Sequence, residues 1–259
     1  MQLPKPKMDR LTYIGHATTL LRLDGVAILT DPMLRAGLGP LRRQGPAPDP
    51  ELPKMTDLVL ISHLHRDHLD VPSLRKIPST TPVVAPLGAS RWVSRGGAEE
   101  IAEMGIGETI VVGGIELTAV RARHNGYRDG HRGTSIEPLG YLIRGGGHTV
   151  YFAGDTDLFP EMSELGPVDV AMLPVWGWGP SVGAGHLDPE RATRALEMIR
   201  PRLAVPIHWG TFYPAGLRRL RPEPLREPPR QFERLAGRAT PEVEVRVLQP
   251  GSETELDLP

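Results

Sequence analysis

Between Ser62 and Asp70 the chain reads S-H-L-H-R-D-H-L-D, and the six residues from His63 to His68 hold three histidines and an aspartate. Imidazole and carboxylate are the donors that suit zinc, iron and manganese. So many polar heads directly after the apolar run 58–61 need a partner to satisfy them, so the spacing predicts a metal centre. In an extended segment residues two apart share a face. His63, His65 and Asp67 therefore point one way, and His68 joins them as the chain turns into the next helix. Further donors stand where apolar runs stop: His124 after 115–121, Asp155 after 150–154, and His208 after 204–207. His186 sits in a glycine-rich loop just before a helix. Six such ligands and a bridging carboxylate would suit two ions about 3.5–4 Å apart with a hydroxide held between them.

The elements that must present these donors are short. Strand-like runs, β-rich and bounded by Gly, Pro, Asp or Asn, are expected at 11–14, 19–23, 26–30, 58–62, 83–85, 109–112, 115–121, 140–144, 149–153, 168–174, 204–208 and 243–248. Gly113-Gly114 and Gly145-Gly146-Gly147 read as hairpin turns. Asp188-Pro189-Glu190 supplies an N-cap, a first-turn proline and an acidic first turn for a helix running to Arg200. Shorter helices are expected at 71–77, 89–96, 158–165 and 227–236. Strands dominate the first half and alternate with helices in the second, which fits two sheets between helices better than a doubly wound sheet.

In order, H-L-H-R-D-H, His124, Ala153-Gly154-Asp155-Thr156 and His208 resemble the metallo-β-lactamase superfamily, from about residue 11 to residue 248. The resemblance implies an α/β, four-layer αββα sandwich of two mixed, mainly antiparallel sheets with metals at one edge. It assigns His63, His65 and His124 to one ion, Asp67, His68 and His208 to a second, and Asp155 as the bridge. Gly15-His16-Ala17-Thr18, Thr30-Asp31-Pro32, His186-Leu187-Asp188-Pro189-Glu190 and Ile207-His208-Trp209-Gly210-Thr211 narrow it to the branch of N-acylphosphatidylethanolamine-hydrolysing phospholipase D, with L-ascorbate-6-phosphate lactonase more distant. The expected reaction is metal-assisted hydrolysis of a phosphodiester, ester or lactone. Asp67 and Asp155 act at the metals, and His186 delivers a proton. The expected cofactors are two divalent ions, zinc ahead of manganese or iron.

Around the ligands, Asp31 is placed by Pro32 at a strand end and is expected to accept the spare N–H of a ligand histidine. His16 is expected near the site, and Trp176 and Trp178 are candidates for the pocket wall. His131 and His148 read as loop histidines.

Composition excludes several classes. There is no cysteine among the 259 residues, so disulfides and thiolate chemistry are out. A net charge of −1 offers no field for nucleic acid, which weakens a nuclease of the same fold. A non-catalytic metal-binding protein is the other alternative, and the complete donor set argues against it. The expected substrate is a small-molecule or lipid-like ester, and a homo-oligomer remains open. The N-terminus lacks a signal-peptide apolar stretch and no run of about 20 apolar residues occurs, making the cytoplasm the default. The chain is expected to be one domain over 1–259, with residues 1–8 a tail and 36–53 a long surface loop.

Overall fold

A computed structural model describes residues 8–129, 132–179 and 181–258. Of the expected tail at 1–8, residues 1–7 lie outside the described residues, as does His131.

Two seven-stranded sheets face each other. In spatial order the first sheet runs Ser252–Glu255, Arg10–Gly15, Thr18–Leu23, Val26–Thr30, Leu58–Leu60, Val83–Pro86 and Ile101–Met104. The second runs Glu244–Val245, Leu203–Ile207, Val170–Pro174, His148–Phe152, Leu139–Gly145, Ile115–Arg121 and Thr109–Val112. Each sheet has three antiparallel and three parallel pairings, so parallel pairs are half of each mixed sheet, a larger share than expected.

Alternation along the first-sheet strands sorts their residues into two cores. Leu58, Leu60, Ile28 and Val84 face the second sheet in the main core, while Val59, Leu29, Val83 and Ala85 face outward. The helices α1 (Val71–Leu74) and α2 (Ser90–Val93) cover that outer face through Leu74, Trp92 and Val93. On the far side α3 (Pro189–Ile199) and α4 (Glu227–Ala239) lay Ala192, Leu196, Ile199, Phe232 and Ala236 on the second sheet. With both faces of each sheet covered, the central strands are buried almost throughout, giving α/β/β/α layering.

Turn chemistry behaves as expected. Gly113-Gly114 and Gly146-Gly147 close two-residue hairpins, all four with positive φ. Asp188 caps α3 by accepting the Arg191 N–H at 2.8 Å. The stretch at 36–53 is more ordered than a bare loop. Its segments Gly37–Leu38 and Leu41–Arg43 pair with each other, and the latter also pairs with Phe212–Pro214. Arg43 pins them by donating to the carbonyls of Met33, Arg35 and Ile14, with its guanidinium 5.0 Å from the Phe212 ring.

The direction of the strands explains where chemistry can happen. Arg10–Gly15, Val26–Thr30 and Leu58–Leu60 run the same way, as do Ile115–Arg121, His148–Phe152, Val170–Pro174 and Leu203–Ile207. Their C-terminal ends release His16, Asp31, the 63–68 loop, His124, Asp155, Trp176 and His208. The sheets are tied together near these ends by Tyr13 Oη to Trp209 O at 2.7 Å and Tyr141 Oη to Ile61 O at 2.8 Å.

Candidate metal centre

Three imidazole nitrogens converge at one point. His63 Nε2 and His124 Nε2 lie 3.0 and 3.1 Å from His65 Nδ1. The other nitrogens of His63 and His124 are engaged. His63 Nδ1 donates to Ser62 Oγ at 2.9 Å, and His124 Nδ1 donates to Gly185 O at 2.6 Å. Their Nε2 atoms therefore present lone pairs, and one ring proton on His65 cannot satisfy both. The arrangement calls for a cation. Burial lowers the pKa of His63, His65 and His124, the last to about 4, which keeps the rings in the neutral form that can ligate.

A second convergence lies beside it. His68 Nε2 and His208 Nε2 are 3.3 Å apart, and each is 3.2 Å from an oxygen of Asp155. His208 Nδ1 donates to Trp176 O at 2.7 Å and His68 Nδ1 to Asp31 Oδ2 at 2.7 Å. That leaves both Nε2 atoms as the inward-facing donors. Asp67 Oδ2 is 4.0 Å from His68 Nε2 and 3.0 Å from His16 Nε2. Asp155 is 2% exposed, and its Oδ1 is buried with no hydrogen-bond partner. Such an orphan is costly unless an ion takes it. Burial opposes ionisation of Asp155, yet His208 and His68 hold its carboxyl well below the usual range. Burial likewise opposes Asp67, but the hydrogen bond from His16 and the nearby His68 outweigh it and keep its carboxyl low. Burial lowers His208 well below the ordinary value, whereas Asp155 and Asp31 overcome burial and raise His68 well above it.

Two carboxylates and five imidazoles thus turn toward two neighbouring points, a set that fits divalent borderline cations once His68 gives up its proton.

Asp31 organises the entry to the ligand loop. Fully buried, it accepts from Ser62 N at 2.7 Å, Ser62 Oγ at 2.6 Å and His68 Nδ1. Through Ser62 it also reaches His63, so one carboxylate orients a histidine of each convergence. Downstream, Asp70 caps α1 through Ser73 N and takes both arms of Arg35, setting the angle at which the chain leaves the loop. Close approach requires glycine twice. Gly154 has φ +58°, and a Cβ there would fall 2.6 Å from Ser62 Cβ. Gly185 has φ +81°, and a Cβ there would fall 3.2 Å from His124 Nδ1.

Among the described residues, five non-glycine residues have positive φ, and three are at this edge: His16 at 61°, Asp31 at 34° and His208 at 63°. Each costs about 1–3 kcal/mol, and such strain collects at functional sites.

The cavity over the donors has a volume of about 530 Å³ and is lined by His65, Asp67, His124, Asp155 and His186, with Arg66, Asn125, Arg128 and Trp178 at its walls. His186 Nε2 is 3.4 Å from Asp155 Oδ2. Burial works against its proton, but Asp155 prevails and raises the His186 pKa. The two tryptophans separate. Trp178, 44% exposed, lines the cavity, while Trp176 packs on the main core and serves through its carbonyl on His208. His148 lies elsewhere, 3.6 Å from Asp9. Sequence reasoning assigned no role to Ser62, Gly185 or Thr211, which hold His63, His124 and the His16 N–H. Ser62 and Thr211 lie inside the quoted motifs, whereas a carbonyl such as that of Gly185 leaves no residue-type signal. Arg128 donates to the carbonyls of Leu64 and Leu69, clasping the ligand loop from the Tyr127–Asp129 strand.

An αββα sandwich carrying a His/Asp cluster at the C-terminal edge of its sheets defines the metallohydrolase class of that architecture. The sequence profile of the beta-lactamase superfamily domain matches residues 27–209. The chain belongs to the metallo-β-lactamase superfamily. It is 34% identical to a UPF0173 metal-dependent hydrolase of Methanopyrus kandleri, over 95% of this chain and 99% of that one. It is 33% identical to N-acyl-phosphatidylethanolamine-hydrolyzing phospholipase D 1 of Caenorhabditis elegans, over 79% of this chain and 64% of that longer protein. Among solved structures it superposes on a metallo hydrolase of Ignicoccus hospitalis with a TM-score of 0.73 and 28% identity, covering 96% and 98% of the two chains. Among the described residues no helix is long and apolar enough to cross a membrane.

Proposed function

We propose that the chain is a binuclear metal-dependent hydrolase in which His63, His65 and His124 hold one ion, Asp67, His68 and His208 hold the other, and Asp155 serves both. The observation that supports this most is the buried Asp155 carboxylate, with an orphan oxygen, beside two groups of imidazoles that turn ring nitrogens toward it and toward one another. Two bound divalent ions, zinc ahead of manganese or iron, would acidify a shared water towards a pKa of about 7 and stabilise negative charge developing on the substrate.

The chain's own groups do the rest. Asp155, within reach of both groups of histidines, would help to hold both ions. His186, at the cavity and holding its proton against Asp155, donates to the leaving oxygen as the bond breaks. Trp178 offers a flat apolar wall to the leaving group. The substrate is a small-molecule or lipid-like ester. The positive charge that Arg66 and Arg128 place at the cavity wall favours one bearing negative charge, so a phosphodiester ranks ahead of a neutral ester or lactone. The name of the Caenorhabditis elegans relative points the same way.

The test is metal analysis of the purified protein joined to turnover of an aryl phosphodiester, an aryl carboxylic ester and a lactone. Two ions per chain and hydrolysis of the phosphodiester are expected. A fully loaded protein that turns over none of the three would refute the reading.

A further inference from the structure

Taking the two-ion reading above as its basis, we infer that His16 is the positioning residue of the second ion position, holding Asp67 and His208 in place without itself being needed as a ligand. His16 follows Gly15 in the tight connection between the strands Arg10–Gly15 and Thr18–Leu23, far in sequence from any ligand. It is 1% exposed and stands at φ 61°, a backbone state that a histidine adopts only where its surroundings hold it there.

Every polar backbone group of His16 is used at the site. Its N–H donates to Thr211 Oγ1 at 2.7 Å, and its carbonyl accepts the His208 N–H at 2.7 Å. The side chain completes the clamp. Nε2 lies 3.0 Å from Asp67 Oδ2, and the ring sits 3.9 Å, centroid to centroid, from that of His208. Phe212 closes the other side edge-on at 5.5 Å. A histidine that merely filled space would not aim a ring nitrogen at a carboxylate at hydrogen-bonding distance. With Nε2–H donating to Oδ2, the rotation of the Asp67 carboxylate is set and its remaining lone pairs are directed at the second position. The packed ring then holds the plane of His208. His63, His65 and His124 make no such contact with His16, so the effect is confined to one of the two positions.

The experiment titrates metal-free wild type, His16→Ala, His16→Gln and Asp67→Ala with Zn²⁺ against a chromophoric chelator, and counts ions per chain after dialysis. Glutamine shares alanine's backbone penalty at this φ but carries an amide donor of similar reach to Nε2. In His16→Ala the uptake step that Asp67→Ala abolishes is expected to weaken about 10–100-fold. The other step stays at wild-type affinity, which also reports an intact fold, and His16→Gln regains most of the loss. Equal weakening of both steps, no weakening of either, or a glutamine variant as poor as alanine would each overturn the inference. A wild-type chain that takes up a single ion would instead sink the two-ion reading, and this inference with it.

Discussion

His63, His65 and His124 meet through three neutral imidazole nitrogens, whereas Asp67, His68 and His208 meet around carboxylates, with Asp155 between the groups. At the first meeting point burial is the governing force, and it strips protons from the rings. At the second the two histidines part: burial lowers His208 as in the first group, but Asp155 and Asp31 bracket His68 and raise its pKa. The backbone differs in parallel. Of the three strained residues at this edge, His208 belongs to the second group, while His16 and Asp31 hold its members Asp67 and His68 directly. In the two-ion reading, such a site would let one ion be held by neutral donors while the other sat in a more anionic environment.

The strongest way to break the distinction is Asp155→Asn, which removes charge from both halves at once. Activity is expected to fall beyond the roughly 100-fold typical of an outer partner, with ion content reduced at both positions, measured by elemental analysis and turnover. Next, Asp67→Ala or His208→Ala should cost one ion per chain and most activity while circular dichroism remains unchanged. Full turnover with metal content intact in either variant would erase the proposed second position. Asp31→Asn touches both halves through Ser62 and His68, and should weaken both uptake steps about 10-fold or more and lower stability by about 1–3 kcal/mol, read by chemical denaturation.

A subtler contrast is pH. His68, with its pKa raised, holds a proton in the metal-free protein near neutrality and must release it to bind an ion. Affinity at that step should therefore rise with pH, by up to about tenfold per unit for one proton released, across pH 6–8. His63, His65 and His124 are lowered, His63 well below the ordinary value and His124 to about 4, so this group has fewer protons to release in that range. Their step should have the shallower pH slope of the two. Calorimetric titrations in buffers of different ionisation enthalpy would count the protons, and equal pH slopes would remove the distinction. The smallest effect is expected at His148, away from both halves: His148→Ala should change stability by no more than about 0.5 kcal/mol and leave ion content and turnover as in wild type.

How far the sequence could be read depended on burial. Strands such as Leu58–Leu60 and Ile115–Arg121 announce themselves by apolar, β-branched runs, and the glycine pairs announce their hairpins. Ser252–Glu255 escapes because it is a polar edge strand paired on one side only, and Ile101–Met104 because its pattern is weak and half-buried. The short pairings of Leu41–Arg43 escape because they depend on Phe212–Pro214, which lies remote in sequence. At the site the histidines and aspartates were visible by type and by position at strand ends, and His16 and Asp31 by their motifs. The split between Trp176 and Trp178 was not visible, since one acts through a carbonyl.

The sequence by itself determined the donor inventory, the αββα plan and the absence of thiolate chemistry, because residue type and apolar periodicity are local properties. Only the tertiary structure decided which nitrogen each histidine turns inward. That choice is made by the atom engaging the other nitrogen. His124 is turned by Gly185 O, 61 residues away, His208 by Trp176 O, 32 away, and His68 by Asp31, 37 away. Hydrogen bonds over such separations exist only once the strands have paired and the sheets have packed face to face. They are why a cluster that spelled out metal binding became two unlike groups of donors at one edge of the sheets.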